Sequence, residues 1–153
     1  KDNKRISSKL IRDLLAEGKC QDVIKFLGQP YSLFGPVIYG DQRGRTWGFP
    51  TANIPLYRKI PPLIGIYIVR VHGPDFIADG VASIGFRPVF QVKKPLLEVH
   101  ILDFDRDIYG EYLRVEFVEK IRDEADFESV DSLIKQIADD VVKARVYFSQ
   151  HAR

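Results

Sequence analysis

Methionine is absent from the 153 residues, cysteine and tryptophan occur once each, and there are three histidines. Without methionine, Lys1 does not follow a retained initiator, and the chain reads as a piece of something longer. A lone Cys20 forms no internal disulfide, and its helical, partly apolar surroundings suit packing, so a reducing compartment is expected. No apolar run approaches the roughly 18 residues that span a bilayer and no signal peptide leads the chain, which makes the cytoplasm the default and a membrane partner unexpected. His72, His100 and His151 make no ligand spacing with Cys20, so a zinc site is unsupported. Neither a Gly-X-Ser-X-Gly elbow nor a Gly-Lys-Ser/Thr phosphate loop occurs, which removes the corresponding hydrolase and P-loop readings. Charge of one sign is also missing: 23 basic against 21 acidic residues leave +2, with the basic residues spread along the chain, and nucleic acid is not suggested.

What is present suits one soluble domain, since 45% hydrophobic and 29% charged residues can build a core and keep a charged surface. Residues 7 to 17 read as a helix capped by Ser7 or Ser8 and stopped by Gly18, and Asp22 to Leu27 as a second one ended by Gly28 and Pro30. From Tyr31 the pattern shifts to short β-branched and aromatic runs: Ser32–Tyr39, Gly65–His72, Ile77–Ile84, Leu96–Phe104 and Leu113–Ile121, with Thr51–Ile54 as a candidate sixth. That spacing predicts an antiparallel sheet or closed barrel. Behind Ser129, Val130, Leu133, Ile134, Ile137, Val141, Ala144 and Phe148 recur at helical steps and predict a long helix packed on the sheet.

Two segments carry chemistry. Gly40 to Asn53 contains Gly40, Gly44 and Gly48 with Arg43 and Arg45, and closes on Pro50-Thr51-Ala52-Asn53. Glycines let backbone N–H groups converge on an anion, and Thr51 and Asn53, two apart in extended chain, aim two neutral oxygens one way, toward a phosphate-bearing Mg²⁺. An ordinary surface hairpin with a local Thr-X-Asn turn stays open on residue types alone. The second segment is Leu96 to Asp103, where an acid stands inside an apolar strand. Alternation puts Leu97, Val99 and Ile101 on one face and Glu98, His100 and Leu102 on the other. Glu98 is either a base lining a cavity with Thr51 and Asn53 or part of a solvated outer face. Asp103 to Gly110 alternates acids without the glycine and glutamate of a calcium loop and reads as a turn.

Taken in order, Gly44-Arg45-Thr46-Trp47-Gly48-Phe49-Pro50-Thr51-Ala52-Asn53, Ile84-Gly85-Phe86-Arg87-Pro88-Val89-Phe90, Leu97-Glu98-Val99-His100-Ile101, Asp107-Ile108-Tyr109-Gly110 and the Phe127-Glu128-Ser129 helix start resemble the riboflavin kinase module of bacterial bifunctional FAD synthetases. The resemblance covers about residues 31 to 149. It implies a mainly β fold, a six-stranded Greek-key antiparallel barrel with a long C-terminal helix and a short helical lead-in. The implied reaction joins ATP and riboflavin to give FMN and ADP with Mg²⁺. By motif, Glu98 corresponds to the catalytic base and Thr51 and Asn53 to the Mg²⁺ and phosphate residues. Gly44, Arg45, Gly48 and Pro50 belong to the loop over the ATP phosphates. Riboflavin is expected near the turn after Asp107, at Tyr109, and near the start of the last helix, with Arg122 a further contact.

Departures from the family pattern are Ser83 for asparagine, Phe86 and Val89 for two threonines, and Trp47 for leucine. Residues 1 to 30 resemble the end of an FMN adenylyltransferase domain, with Ile6-Ser7-Ser8-Lys9-Leu10-Ile11-Arg12 near its motif, and residues 31 to 153 the kinase domain. In the full-length protein the two are expected to be covalently linked, and the kinase piece alone is expected to make no FAD. The competing readings are a flavin- or nucleotide-binding module without turnover and a structural barrel that binds partners.

Overall fold

The structure of the chain, a computed structural model, describes residues 7–39, 45, 47–57, 60–89 and 92–151, the side chains of Pro88, Val89 and Val92 excepted. Two short helices, α1 (Ser8–Ala16) and α2 (Cys20–Leu27), precede six strands: β1 (Tyr31–Pro36), β2 (Ala52–Pro55), β3 (Gly65–His72), β4 (Ile77–Val89), β5 (Val92–Ile101) and β6 (Tyr112–Arg122). A long helix, α3 (Val130–Gln150), follows. The strands form one antiparallel sheet in the order β1-β6-β3-β4-β5-β2. It curls until its two edges nearly meet, where the Ile38 amide donates to the Asn53 carbonyl at 2.8 Å. Gly35 permits that approach, because a Cβ there would stand 2.8 Å from Ile54 Cγ2. The expected six-stranded barrel is therefore present, nearly closed.

β3 falls on the residues that its sequence pattern marks, and it is apolar at nearly every position because it is covered on both faces. Tyr67, Val69 and Val71 point inward, into a core shared with Leu33, Ile54, Leu97, Val99, Val115 and Phe117. Ile66 and Ile68 point outward, against Val141 and Ala144 of α3. β4 runs past its expected end to Val89 and β5 starts before its expected beginning, at Val92, so that the two form a paired ribbon, while β5 stops at Ile101, short of the expected Phe104. Gly85, Pro88 and Pro95 hid that extension in the sequence, since such residues ordinarily mark turns and not paired strands.

Ser7 caps α1 by accepting from the Leu10 amide, and Gly28 stops α2 in the left-handed conformation at φ 81°. Leu15, Cys20 and Val23 of this lead-in share the barrel's own core. Burial first, and the charge of Glu119 second, push the Cys20 thiol up to about 12, which makes it a packing group and not a nucleophile. At the other end of the chain, Ser129 and Ser132 form a reciprocal capping box that starts α3. The expected apolar stripe of α3 packs through Val141 and Ala144, whereas Val130, counted in the stripe, is 51% exposed in the first turn.

Candidate active site

Glu98 takes its position from strand alternation. Its neighbours Leu97 and Val99 fill the barrel, so the carboxylate is turned to the outer face. That face is not simply solvated: α3 and the segment leading into it arch over it and leave a cavity of about 370 Å³. Glu98, Arg87 and His100 line its floor, and Trp47, Phe49, Phe127, Leu133 and Ile137 supply apolar walls. Arg87 Nε donates to Glu98 Oε1 at 3.1 Å, and among the described residues no partner bonds Oε2. A half-buried carboxylate facing an apolar-walled cleft can accept a proton from a bound hydroxyl.

Thr51 lines the same cleft as Glu98, while Asn53 is placed by pairing. Asn53 stands directly across from Glu98 in the β2–β5 ladder, and Ser83 stands across from it on the β4 side. The approach to β2 is held by His100, whose Nδ1–H donates to the Pro50 carbonyl at 2.8 Å and whose ring meets Phe49 edge-on. His100, placed from sequence only on the face it shares with Glu98, thus holds the Pro50 carbonyl. Gly48 adopts φ 88°, in the region that favours glycine.

A second cavity, of about 140 Å³, opens at the mouth of the barrel. Arg45, Pro50, Thr51, Asn53 and Tyr109 border it. Thr51 borders both cavities, and Glu98 only the outer one. Tyr109 stacks on Tyr39 with ring centroids 3.5 Å apart, both rings half exposed, on the turn where the Asp107 carboxylate accepts from the Tyr109 amide. The turn after Asp107 and the start of α3, read from sequence as neighbours of one ligand, thus belong to different cavities. Sequence order could not reveal this, because the division follows the inner and outer sides of a curved sheet. Gly44, with Gly40 and Arg43, lies outside the described residues.

Arg122 lines the outer cleft, but its guanidinium is already engaged. Nε and Nη2 reach the Asp140 carboxylate at 3.0 and 2.8 Å, and the cation lies over Phe127 at 5.7 Å. Asp140 is 2% exposed and also accepts from Gln136. The pair fastens α3 to β6 and so shapes the cleft. Asp140 was invisible in sequence, since it interrupts an amphipathic helix where an acid ordinarily marks the solvated face. Arg87, which links Glu98, Ser83 and Glu124, was also missed as a functional residue. Ser83, one of the departures from the family pattern, accepts from Arg87 at 2.6 Å, and Trp47, another, forms a wall of the cleft.

The donor set bears on a metal. Among the described residues no group of three or more His, Cys, Asp or Glu side chains is arranged to hold an ion. The oxygens on offer are the Thr51 hydroxyl, which borders both cavities, and the Asn53 amide, which borders only the mouth, neutral donors that fit a divalent cation carrying its own anionic ligands.

A family profile described as Flavokinase, riboflavin kinase, matches residues 27–148. The bifunctional riboflavin kinase/FMN adenylyltransferase of Haemophilus influenzae is 47% identical over 149 residues, covering 97% of this chain and 48% of that protein. A crystal structure of a macrolide-efflux protein from Streptococcus pneumoniae aligns with a TM-score of 0.85 at 37% identity, covering 95% of this chain and 48% of its own. The riboflavin kinase of Trypanosoma brucei aligns with a TM-score of 0.55 at 27% identity, covering 80% and 82%. The chain spans about half the length of the curated relatives it matches. Among the described residues no helix is long and apolar enough to cross a membrane.

Proposed function

The chain belongs to the riboflavin kinase family, and from that premise we propose that it transfers the γ-phosphoryl group of ATP to the 5′-hydroxyl of riboflavin, giving FMN and ADP. The observation that carries this reading is the position of Glu98, an ionisable group on the floor of an apolar-walled cleft that touches the barrel-mouth cavity at Thr51.

The two cavities suggest a division of labour. The outer cleft, with Trp47, Phe49 and Phe127, suits the planar isoalloxazine ring and leaves the ribityl chain to run toward Glu98. The mouth, with Arg45 and the stacked Tyr39 and Tyr109, suits the nucleotide, and the Gly44 to Gly48 loop would cover its phosphates. Thr51 and Asn53 would hold the Mg²⁺ that ATP brings, and bound there it would neutralise charge on the transferring phosphoryl group. Glu98 accepts the proton of the 5′-hydroxyl, the oxygen forms its bond to the γ-phosphorus, and the bond to the ADP oxygen breaks. Phosphoryl transfer asks for in-line positioning more than for covalent chemistry, so a rigid barrel face between two pockets is a suitable platform.

We read residues 1–30 as the end of an adenylyltransferase domain joined to a kinase unit of residues 31–153; the relatives' names pair these two activities in one protein. Incubating the chain with riboflavin and Mg-ATP and resolving the flavins by chromatography tests the central proposal. Formation of FMN is expected; its absence with intact folding would overturn it.

A further inference from the structure

Resting on that reading, we propose that Arg87 is a positioning residue for the transfer: it holds Glu98 on the cleft floor and Glu124 in the cleft wall at once, so that the base and the β6–α3 connector are set as one unit. The first observation is the shared guanidinium. Nε donates to Glu98 Oε1 at 3.1 Å, while Nη2 lies 2.8 Å from Glu124 Oε1 and donates to Ser83 Oγ at 2.6 Å. Nη1 closes on the Phe86 carbonyl at 2.9 Å. All three guanidinium nitrogens are used, and a planar fork with fixed donor directions dictates where both carboxylates stand.

The second observation is independent of Arg87. Glu124 packs over Gly85, where an added Cβ would lie 2.8 Å from the Glu124 Cδ. Gly85 is two residues before Arg87 on β4, so the strand supplies both the cation and the vacant space that the connector carboxylate occupies. Glu124, Ala125 and Phe127 line the cleft as part of one connector, and Arg122, where that connector leaves β6, is bonded to Asp140 in the middle of α3. A displacement of Glu124 therefore moves the cleft wall, and through Arg87 it reaches the base.

Arg87 touches no reacting atom in this arrangement; it acts through Glu98. Its loss is expected in turnover more than in substrate affinity. In the full chain, Arg87→Ala should lower kcat for FMN formation by about 10- to 100-fold, the scale of a small misplacement of a catalytic group. KM for riboflavin and for ATP should stay within about threefold. Arg87→Lys should recover only part of kcat, because one ammonium cannot reproduce the fork. The three atoms nearest a Cβ at Gly85 all belong to the flexible end of Glu124, so Gly85→Ala should fold and should release the connector without removing a charge.

Amide hydrogen exchange over residues 123–128 reads the coupling whatever the turnover, and should quicken in Arg87→Ala and in Gly85→Ala. Wild-type kcat in Arg87→Ala, or a loss confined to KM, would overturn the assignment to Glu98. Unchanged exchange in both variants would overturn the link to the connector. A wild-type chain that makes no FMN would instead count against the kinase reading, and the exchange measurement would still decide whether Arg87 joins floor and wall.

Discussion

Leu97 and Val99 on the inner side of β5 have no solvent exposure, while Glu98 and His100, on alternate positions of the same strand, look into a cleft on the outer side. The inner side is packed by every strand of the barrel. The outer side is covered by one helix and its connector, which touch it at Ile66, Ile68 and Val81 and stand away from it near Glu98. The proposed chemistry sits where burial is incomplete: a carboxylate there is shielded by apolar walls yet remains open to a cleft. A charged group on the packed side would meet only hydrocarbon.

This contrast can be tested from both sides. The largest effect is expected at Glu98, where Glu98→Ala should cost about 10²- to 10⁴-fold in FMN formation. ATP binding should survive and the melting temperature should change little; a variant turning over like wild type would dissolve the functional side of the comparison. Next comes Asp140→Ala, which strands Arg122 beside a buried site and should destabilise the fold by about 3–5 kcal/mol, read by denaturant unfolding. Leu97→Ala should cost about 2–5 kcal/mol by the same measurement, with turnover per folded molecule largely kept. If instead Leu97→Ala abolished turnover at full stability, the two sides of β5 would not be separable.

Smaller effects sharpen the edges. Burial is the largest single influence on Glu116 and pushes its carboxyl up, but hydrogen bonds and charges from His72 and Arg114 together outweigh it and hold the group below 4.5. A carboxyl depressed in the folded state contributes stability that is complete above its unfolded value and is lost as pH falls through its folded one. The stability difference between the wild type and Glu116→Gln should therefore be full near neutrality and shrink below about pH 4.5, followed by denaturant titration at several pH values. The least change is expected at Cys20: a thiol reagent at pH 8 should leave it unmodified until the chain unfolds, because burial holds it protonated.

Much of this was legible in the amino-acid order. β3, the Ser129 cap of α3 and the face assignment of Glu98 follow from period and capping chemistry, which act over a few residues. The ribbon beyond Ile84 escaped notice because glycine and proline change meaning when a partner strand is present. The His72–Glu116 and Arg122–Asp140 pairs, separated by 44 and 18 residues, left no local mark. The Arg87 hub escaped for the same reason, although Arg87 and Glu98 lie within one hairpin.

Local chemistry thus determined β3, the helix caps and the inert cysteine, because these depend on side-chain type and on spacing along the chain, whereas the roles proposed for Glu98, Thr51 and Asn53 come from the resemblance to one family. Tertiary structure alone decided that Thr51 borders two cavities, that Tyr109 and Phe127 face different ones, and that Arg122 is held by a buried acid on α3. Those outcomes depend on how a sheet curls and where a helix lies across it, and the distances involved are set by packing between segments far apart in sequence.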